Sequence, residues 1–439
     1  MIVIKRILIF LLLLNMAVSC TVYRVIRYWQ PEIDEYNAFP QAKIESGKDK
    51  FSFPVAIDSF LVNVKLVQVI KGDTLRPSVD DYVGRSATTA YLIIKNDTIV
   101  YEQYYRGYDR SKISAFFSVT KSVTSLLVGI AVDEGYIKSV HDPVTDYIPE
   151  LKKKDPRFQK LTIEHLLNMQ AGLKFSEEYG KNPFMDITRL FYGRNQLGVI
   201  KKLKFSRDPG EKYDYNSATT AILGIALERA TQRPYVEYLE EKVWKPLGME
   251  YDASMGLDDK KHRSAKSYYG LSATAIDLAK IGRLYMNGGN WNGKQIVSKE
   301  WVEKSTTPNI AENHISVEQY KDYYQYHWYS TVRSWHERDS TGAYLFNDSI
   351  SALRFAEKSS FTHYDIRKLK NADLPGYHWA AIDFSPEFDA FGIVSQRLYI
   401  DPEKKIIMVR LGEKWDSDHK TVSLTRVLTR RYPVLEKKW

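Results

Sequence analysis

Residues 118–135 read SVTKSVTSLLVGIAVDEG, and the fold turns on this stretch. Apolar or small residues recur on nearly every side of it, and Gly135 is placed to stop a helix. A helix that is apolar all round is a buried one, so the stretch predicts a central helix over 118–134. Its first turn carries Ser118 and Lys121, three positions apart and therefore on one helical face. A serine hydroxyl is a poor nucleophile without a base. A lysine desolvated beside it gives up its proton more easily, because burial disfavours the charged form. The N-terminus of the helix adds N–H groups aimed at an oxygen that becomes negative. The competing reading makes Ser118 a helix cap and Lys121 a solvated side chain, so the surrounding sequence has to decide.

Outward from the helix, the apolar runs 90–94 and 98–101, joined by Lys95-Asn96-Asp97, predict a β-hairpin. Strands also close the chain, at 397–400 and 406–411 around the turn Asp401-Pro402-Glu403-Lys404, with a final helix expected over 417–429. Helical stretches fall near 163–169, 218–230, 235–244 and 276–286. Strands at both ends around a helical middle predict one α/β domain whose sheet joins the two ends.

Context for Ser118 comes from Pro209-Gly210-Glu211-Lys212-Tyr213-Asp214-Tyr215-Asn216-Ser217, set before another apolar helix. Here the chain resembles the serine β-lactamase and penicillin-binding-protein superfamily, in its class C-like branch. The family's second motif is Tyr-x-Asn, and Tyr215-Asn216-Ser217 is the Tyr-x-Ser variant. The likeness continues through Leu161-Thr162-Ile163-Glu164-His165-Leu166-Leu167-Asn168-Met169, through 270–279 and 292–297, and through Tyr326-His327-Trp328-Tyr329. Together these pieces cover most of 88–411.

The resemblance implies a β-lactamase/transpeptidase-like α/β (α+β) fold, an antiparallel sheet flanked by helices plus a mainly helical subdomain. It implies a serine hydrolase that passes through an acyl-enzyme and uses no cofactor and no metal. Tyr215 becomes a second acid/base group, with the Lys121 cation easing ionisation of its phenol. Ser217 is expected to hydrogen-bond Lys121, or else to cap its helix. The third motif departs from the family pattern, since Ala390-Phe391-Gly392 has no Lys or His where Lys-Thr-Gly or His-x-Gly is usual. This variant is similar to the aminohexanoate-dimer hydrolases and related esterases. By that likeness the Ile393 N–H, just after Gly392, joins the Ser118 N–H as an oxyanion hole. Relatives there often carry Gly where this chain has Ser395. Tyr179 is the candidate for their mobile-loop tyrosine, or else an exposed loop aromatic. The stretch 336–378 has no recognised counterpart and is expected to shape the cleft.

The first residues look like an export signal: Lys5 and Arg6, an apolar run over 7–14, then Ala17-Val18-Ser19-Cys20. That last motif resembles the lipobox of bacterial lipoproteins, with Cys20 lipidated after loss of 1–19. The expected plan is a signal over 1–19, an N-terminal extension over 20–85 and a hydrolase domain over 86–439. The expected place is the bacterial cell envelope, held to a membrane through the lipid. Cys20 is the only cysteine, so no internal disulfide can form. The formal charge of +9 falls to +7 once Lys5 and Arg6 leave, and no basic-aromatic stripe points to nucleic acid. The nine histidines show no ligand spacing. Glu164-His165-Leu166-Leu167-Asn168 mimics the Glu-x-x-Leu-Asn of class A β-lactamases, but it precedes Tyr215 and lies inside a class C-like helix. The expected partner is a small ester, amide or peptide substrate. The alternatives are a penicillin-recognising peptidase or β-lactamase, and a non-catalytic lipid-anchored binding protein.

Overall fold

The computed structural model describes residues 24, 32–34, 39–56, 68–70, 73–76, 78–178, 185–307, 322–332, 344–359, 364–370 and 377–414. The expected signal, Cys20, Tyr179 and the helix over 417–429 lie outside the described residues, as do 336–343, 360–363 and 371–376 of the expected insertion.

In chain order the elements that build the site begin with β1 (Gln41–Ile44), α1 (Val79–Arg85), β2 (Thr88–Lys95), β3 (Thr98–Tyr104), β4 (Ser114–Ala115) and α2 (Val119–Asp133). They continue with α3 (Ser217–Thr231), β5 (Ala253–Gly256), β6 (Leu271–Ala273), α4 (Ala275–Met286), β7 (Asp322–Gln325) and β8 (Trp328–Val332). The last are β9 (Tyr344–Phe346), α5 (Ser349–Lys358), β10 (Tyr364–Lys370), β11 (Tyr377–Gly392), β12 (Gln396–Asp401) and β13 (Ile406–Gly412).

The larger sheet runs β7-β8-β11-β12-β13-β2-β3, with β9 and β10 also paired to β11. All its described pairings are antiparallel, and β13 meets β2 in the register Ile407↔Ile94 and Val409↔Leu92. The two ends of the catalytic region therefore share one sheet, as the sequence predicts. The hairpin β2–β3 turns through Asn96 and Asp97, at φ 49° and 60°. Asn and Asp tolerate this left-handed backbone better than other non-glycine residues.

Strand β2 is buried on both faces, which explains its nearly unbroken apolar reading. Ala90, Leu92 and Ile94 join the main core, whereas Tyr91 and Ile93 pack with Val79 and Val83 of α1. Ser78 starts α1 with a capping box, its Oγ accepting from Asp81 N at 3.0 Å.

Helix α2 is buried along almost its whole length, as its composition requires. Burying side chains such as Leu126 and Leu127 contributes roughly 1.5–3 kcal/mol each. Gly129 lets Trp301 lie against the bare helix, since a Cβ there would meet the indole at 2.5 Å. The second sheet runs β1-β5-β6-β4 and leads directly into the site. Its first strand belongs to the segment read as an N-terminal extension, and Phe39, Ile44 and Phe53 of that segment are buried in the main core. Within the expected insertion, β9, α5 and β10 form a small layer on the 16-residue β11, with Ala352, Ala356 and Ala381 at its centre.

Candidate active site

Ser118 stands where β4 turns into α2. Phe116 N donates to Leu271 O at 2.9 Å, tying the turn to β6, and Phe117 takes φ 47°. A bulky residue in that region is strained, and such strain persists only where surrounding structure fixes it. Ser118 occupies the N-cap position of α2, yet its side chain caps no helical N–H. It accepts instead from Lys121 Nζ at 3.1 Å, so the helix-cap reading of Ser118 does not hold.

Lys121 is buried, and its second acceptor is the Tyr268 carbonyl at 2.9 Å. Burial pushes its pKa down to about 8, against a smaller upward pull from Glu177. The solvated reading of Lys121 fails with it. Lys121 Nζ lies 5.1 Å from the centre of the Tyr215 ring, so the three expected catalytic residues meet. Asn216, next to Tyr215, caps α3 by accepting from Ala218 N at 2.9 Å. This fixes where Tyr215 leaves the helix. The Tyr215 ring also meets Tyr324 edge-on, with centroids 5.9 Å apart. Tyr324 Oη and His327 Nδ1 are 3.1 Å apart, and His327 Nε2 lies 3.1 Å from Thr220 Oγ1. The His327 carbonyl accepts from Ser122 Oγ at 2.6 Å. Burial keeps the imidazole of His327 neutral, by pushing its pKa well below the usual value. In the sequence His327 stands only within Tyr326-His327-Trp328-Tyr329, where no pattern marks a role for it.

Ser217 differs from expectation. Its Oγ donates to Glu177 Oε2 at 3.3 Å and its N–H donates to the same carboxylate, whereas Lys121 bonds Ser118 and Tyr268. Asn216, not Ser217, supplies the cap of α3. Glu177 itself was missed, because no periodicity or motif marks an acidic residue in that loop.

Gly392 ends β11 directly against the nucleophile. A Cβ on it would sit 2.7 Å from Phe116 O and 3.2 Å from Ser118 N, so only glycine allows this approach. The Gly392–Ile393 peptide is thereby brought beside the Ser118 N–H. The chain then reverses through Val394 and Ser395, at φ 53° and 64°. Arg410 braces this strained turn, with Nη1 donating to Ser395 O at 2.7 Å and Nη2 donating to Ser86 O at 2.9 Å. That support accounts for a serine where glycine would be easier. Asp389, just before the third motif, is engaged by Arg397. Glu164 accepts from Tyr326 Oη at 2.6 Å and pairs with Lys304 and His141, which is a structural role away from Ser118.

A buried helix that carries Ser-x-x-Lys beneath an antiparallel sheet defines the β-lactamase/transpeptidase-like fold. The chain belongs to the Beta-lactamase family, whose model matches residues 75–428. It is 28% identical over 245 residues to the 6-aminohexanoate-dimer hydrolase of Paenarthrobacter ureafaciens, a match over 52% of this chain and 60% of that relative. The chain thus spans less than two thirds of that relative's length. Among solved structures, a Bacillus anthracis protein described as a candidate 6-aminohexanoate-dimer hydrolase superposes with a TM-score of 0.70 at 21% identity, over 92% of this chain and 94% of that one. A mutant class C β-lactamase superposes with a TM-score of 0.50 at 14% identity, over 79% of this chain and 92% of that one. At such identities the likeness is one of fold.

Proposed function

We propose that the protein is a serine hydrolase that cleaves an ester or amide bond of a small substrate through an acyl-enzyme. The observation that carries this reading is the 3.1 Å contact between Ser118 Oγ and a buried Lys121. Ser118 Oγ attacks the carbonyl carbon, and its proton passes to Lys121, with Tyr215 beside the pair to relay it to the leaving group. The Ser118 and Ile393 N–H groups stabilise the oxyanion. Water then releases the acid, and the proton returns to Ser118. The relative named for the 6-aminohexanoate dimer supports small amides beside esters.

The rival is a penicillin-recognising enzyme. Penicillins present a carboxylate, and no cation stands in Ala390-Phe391-Gly392 to meet it. One missing charge-assisted hydrogen bond costs roughly 1.5–3 kcal/mol, about ten- to a hundredfold in binding. Side-by-side kinetics of nitrocefin and p-nitrophenyl butyrate are expected to give the ester the higher kcat/KM. The opposite order would transfer the assignment to the rival.

For location, we propose that Cys20 is the lipidated first residue of an envelope protein. Lys5, Arg6, the apolar run and Ala17-Val18-Ser19 support this. Wild-type protein is expected in the membrane fraction of its cells and the Cys20→Ser variant in the soluble fraction. Equal fractionation of the two would remove the proposal.

A further inference from the structure

Glu177 is a half-buried carboxylate that the hydrolytic scheme above does not use. It lies in the loop after the short strand Leu173–Lys174, 40 residues before its main partner. That partner is Ser217, the first residue of α3, whose N–H and Oγ–H both point to the carboxylate. A negative charge belongs at this end of a 15-residue helix, where unpaired N–H groups face outward. The contact also restrains the segment that presents Tyr215, two residues upstream of Ser217.

Through Ser217 the carboxylate is tied to the segment whose Tyr215 ring centre lies 5.1 Å from Lys121 Nζ, and its charge acts on that lysine. Burial works against charge on both groups, lowering the pKa of Lys121 and raising that of Glu177, and each charge partly restores the other. The other titratable groups that act on or feel Glu177 are Asp214, from the turn before α3, and Tyr324, from β7. Asp214 is engaged by Arg207 at 2.8 Å and Tyr324 by His327. Among the described residues, Lys121 is the cation that acts on Glu177. When Ser118 Oγ–H breaks, the proton binds Lys121 Nζ, the Oγ electron pair bonds the carbonyl carbon, and a full ammonium appears on a buried side chain. A nearby carboxylate favours that ammonium over the neutral amine.

We propose that Glu177 is a positioning residue for the Ser118–Lys121 pair, clamping Ser217 so that Tyr215 keeps its place beside the lysine and favouring by its charge the ammonium that forms on Lys121. The inference rests on the serine-hydrolase reading. No proton moves to Glu177, whose part is played by charge and by two accepted hydrogen bonds.

The test is the rate of Ser118 labelling by a fluorophosphonate as a function of pH, in wild-type, Glu177→Gln and Glu177→Asp proteins of verified fold. Labelling needs neutral Lys121, so its rate climbs with pH through the lysine's pKa. Gln keeps the size and an acceptor for Ser217 N–H but lacks the charge. Without that charge the ammonium is less favoured, so the rising limb moves to lower pH, by about one unit. The plateau rate falls about tenfold, because the lysine is then the weaker base. Asp keeps the charge one methylene further away and moves the limb less in the same direction. This variant keeps the test open if the Gln protein does not fold. Rising limbs that coincide in all three proteins would overturn the inference while leaving the hydrolase reading intact. A wild-type protein that takes no label at Ser118 would overturn both.

Discussion

Ser118→Ala is expected to leave a folded protein that no longer turns over short esters. Two features of the structure separate the loss of chemistry from any loss of fold. The Ser118 side chain caps no N–H of α2, so the helix does not depend on it. Its hydrogen bond is with Lys121 Nζ, which keeps the Tyr268 carbonyl as an acceptor when the hydroxyl is gone. The expected loss in kcat is roughly four orders of magnitude or more, because the remaining groups have no covalent route to share. Surface-like changes in stability, within about 0.5 kcal/mol, should accompany it. Steady-state hydrolysis of p-nitrophenyl butyrate, with a thermal melt of the same preparation, measures both. Activity equal to wild type would end the assignment of Ser118.

The elements legible in the sequence are those set by local patterns. The stretch 118–135 reads as a buried helix because almost every position is apolar or small, and it is one. The hairpin is legible because Asn96 and Asp97 permit the left-handed turn between two apolar runs. Tyr215 is legible because it sits in a motif before a capped helix, which fixes it in space once α3 and α2 pack together. The site's supporting groups are set by contacts between distant segments, and no pattern announces those. Ser217 reads as a partner for Lys121 because of its place two residues after Tyr215. The cap at Asn216, at φ −152°, turns it toward Glu177 instead. β1 is short and unremarkable in sequence, and only its pairing with β5 shows why Ile44 is buried. The stretch 336–378 reads as a blank insertion, since β9 and β10 gain their meaning from the long β11 they pair with.

The catalytic lysine provides the second large effect. Lys121→Met keeps the aliphatic stem and removes the amine, and Lys121→Arg keeps a cation that cannot be deprotonated in a protein. If Lys121 acts as the base, both variants lose roughly 10²–10⁴-fold in kcat/KM. A purely electrostatic role for the lysine would spare the Arg variant. The pH dependence gives an independent sign. Burial lowers the lysine's pKa to about 8, and the neutral amine is the active form. Wild-type kcat/KM therefore rises with pH through about 8, since below that point the amine is protonated. In the Met variant that rise disappears, because no group titrates there to take the serine proton. Stability moves less than activity. Met removes a buried amine that is expensive to desolvate, but takes the Lys121 hydrogen bond away from the Tyr268 carbonyl. These effects oppose each other, so the melting temperature should shift by only a few degrees while turnover collapses. A Lys121→Arg protein that hydrolyses the ester at the wild-type rate, with the wild-type pH profile, would rule out the lysine as the base.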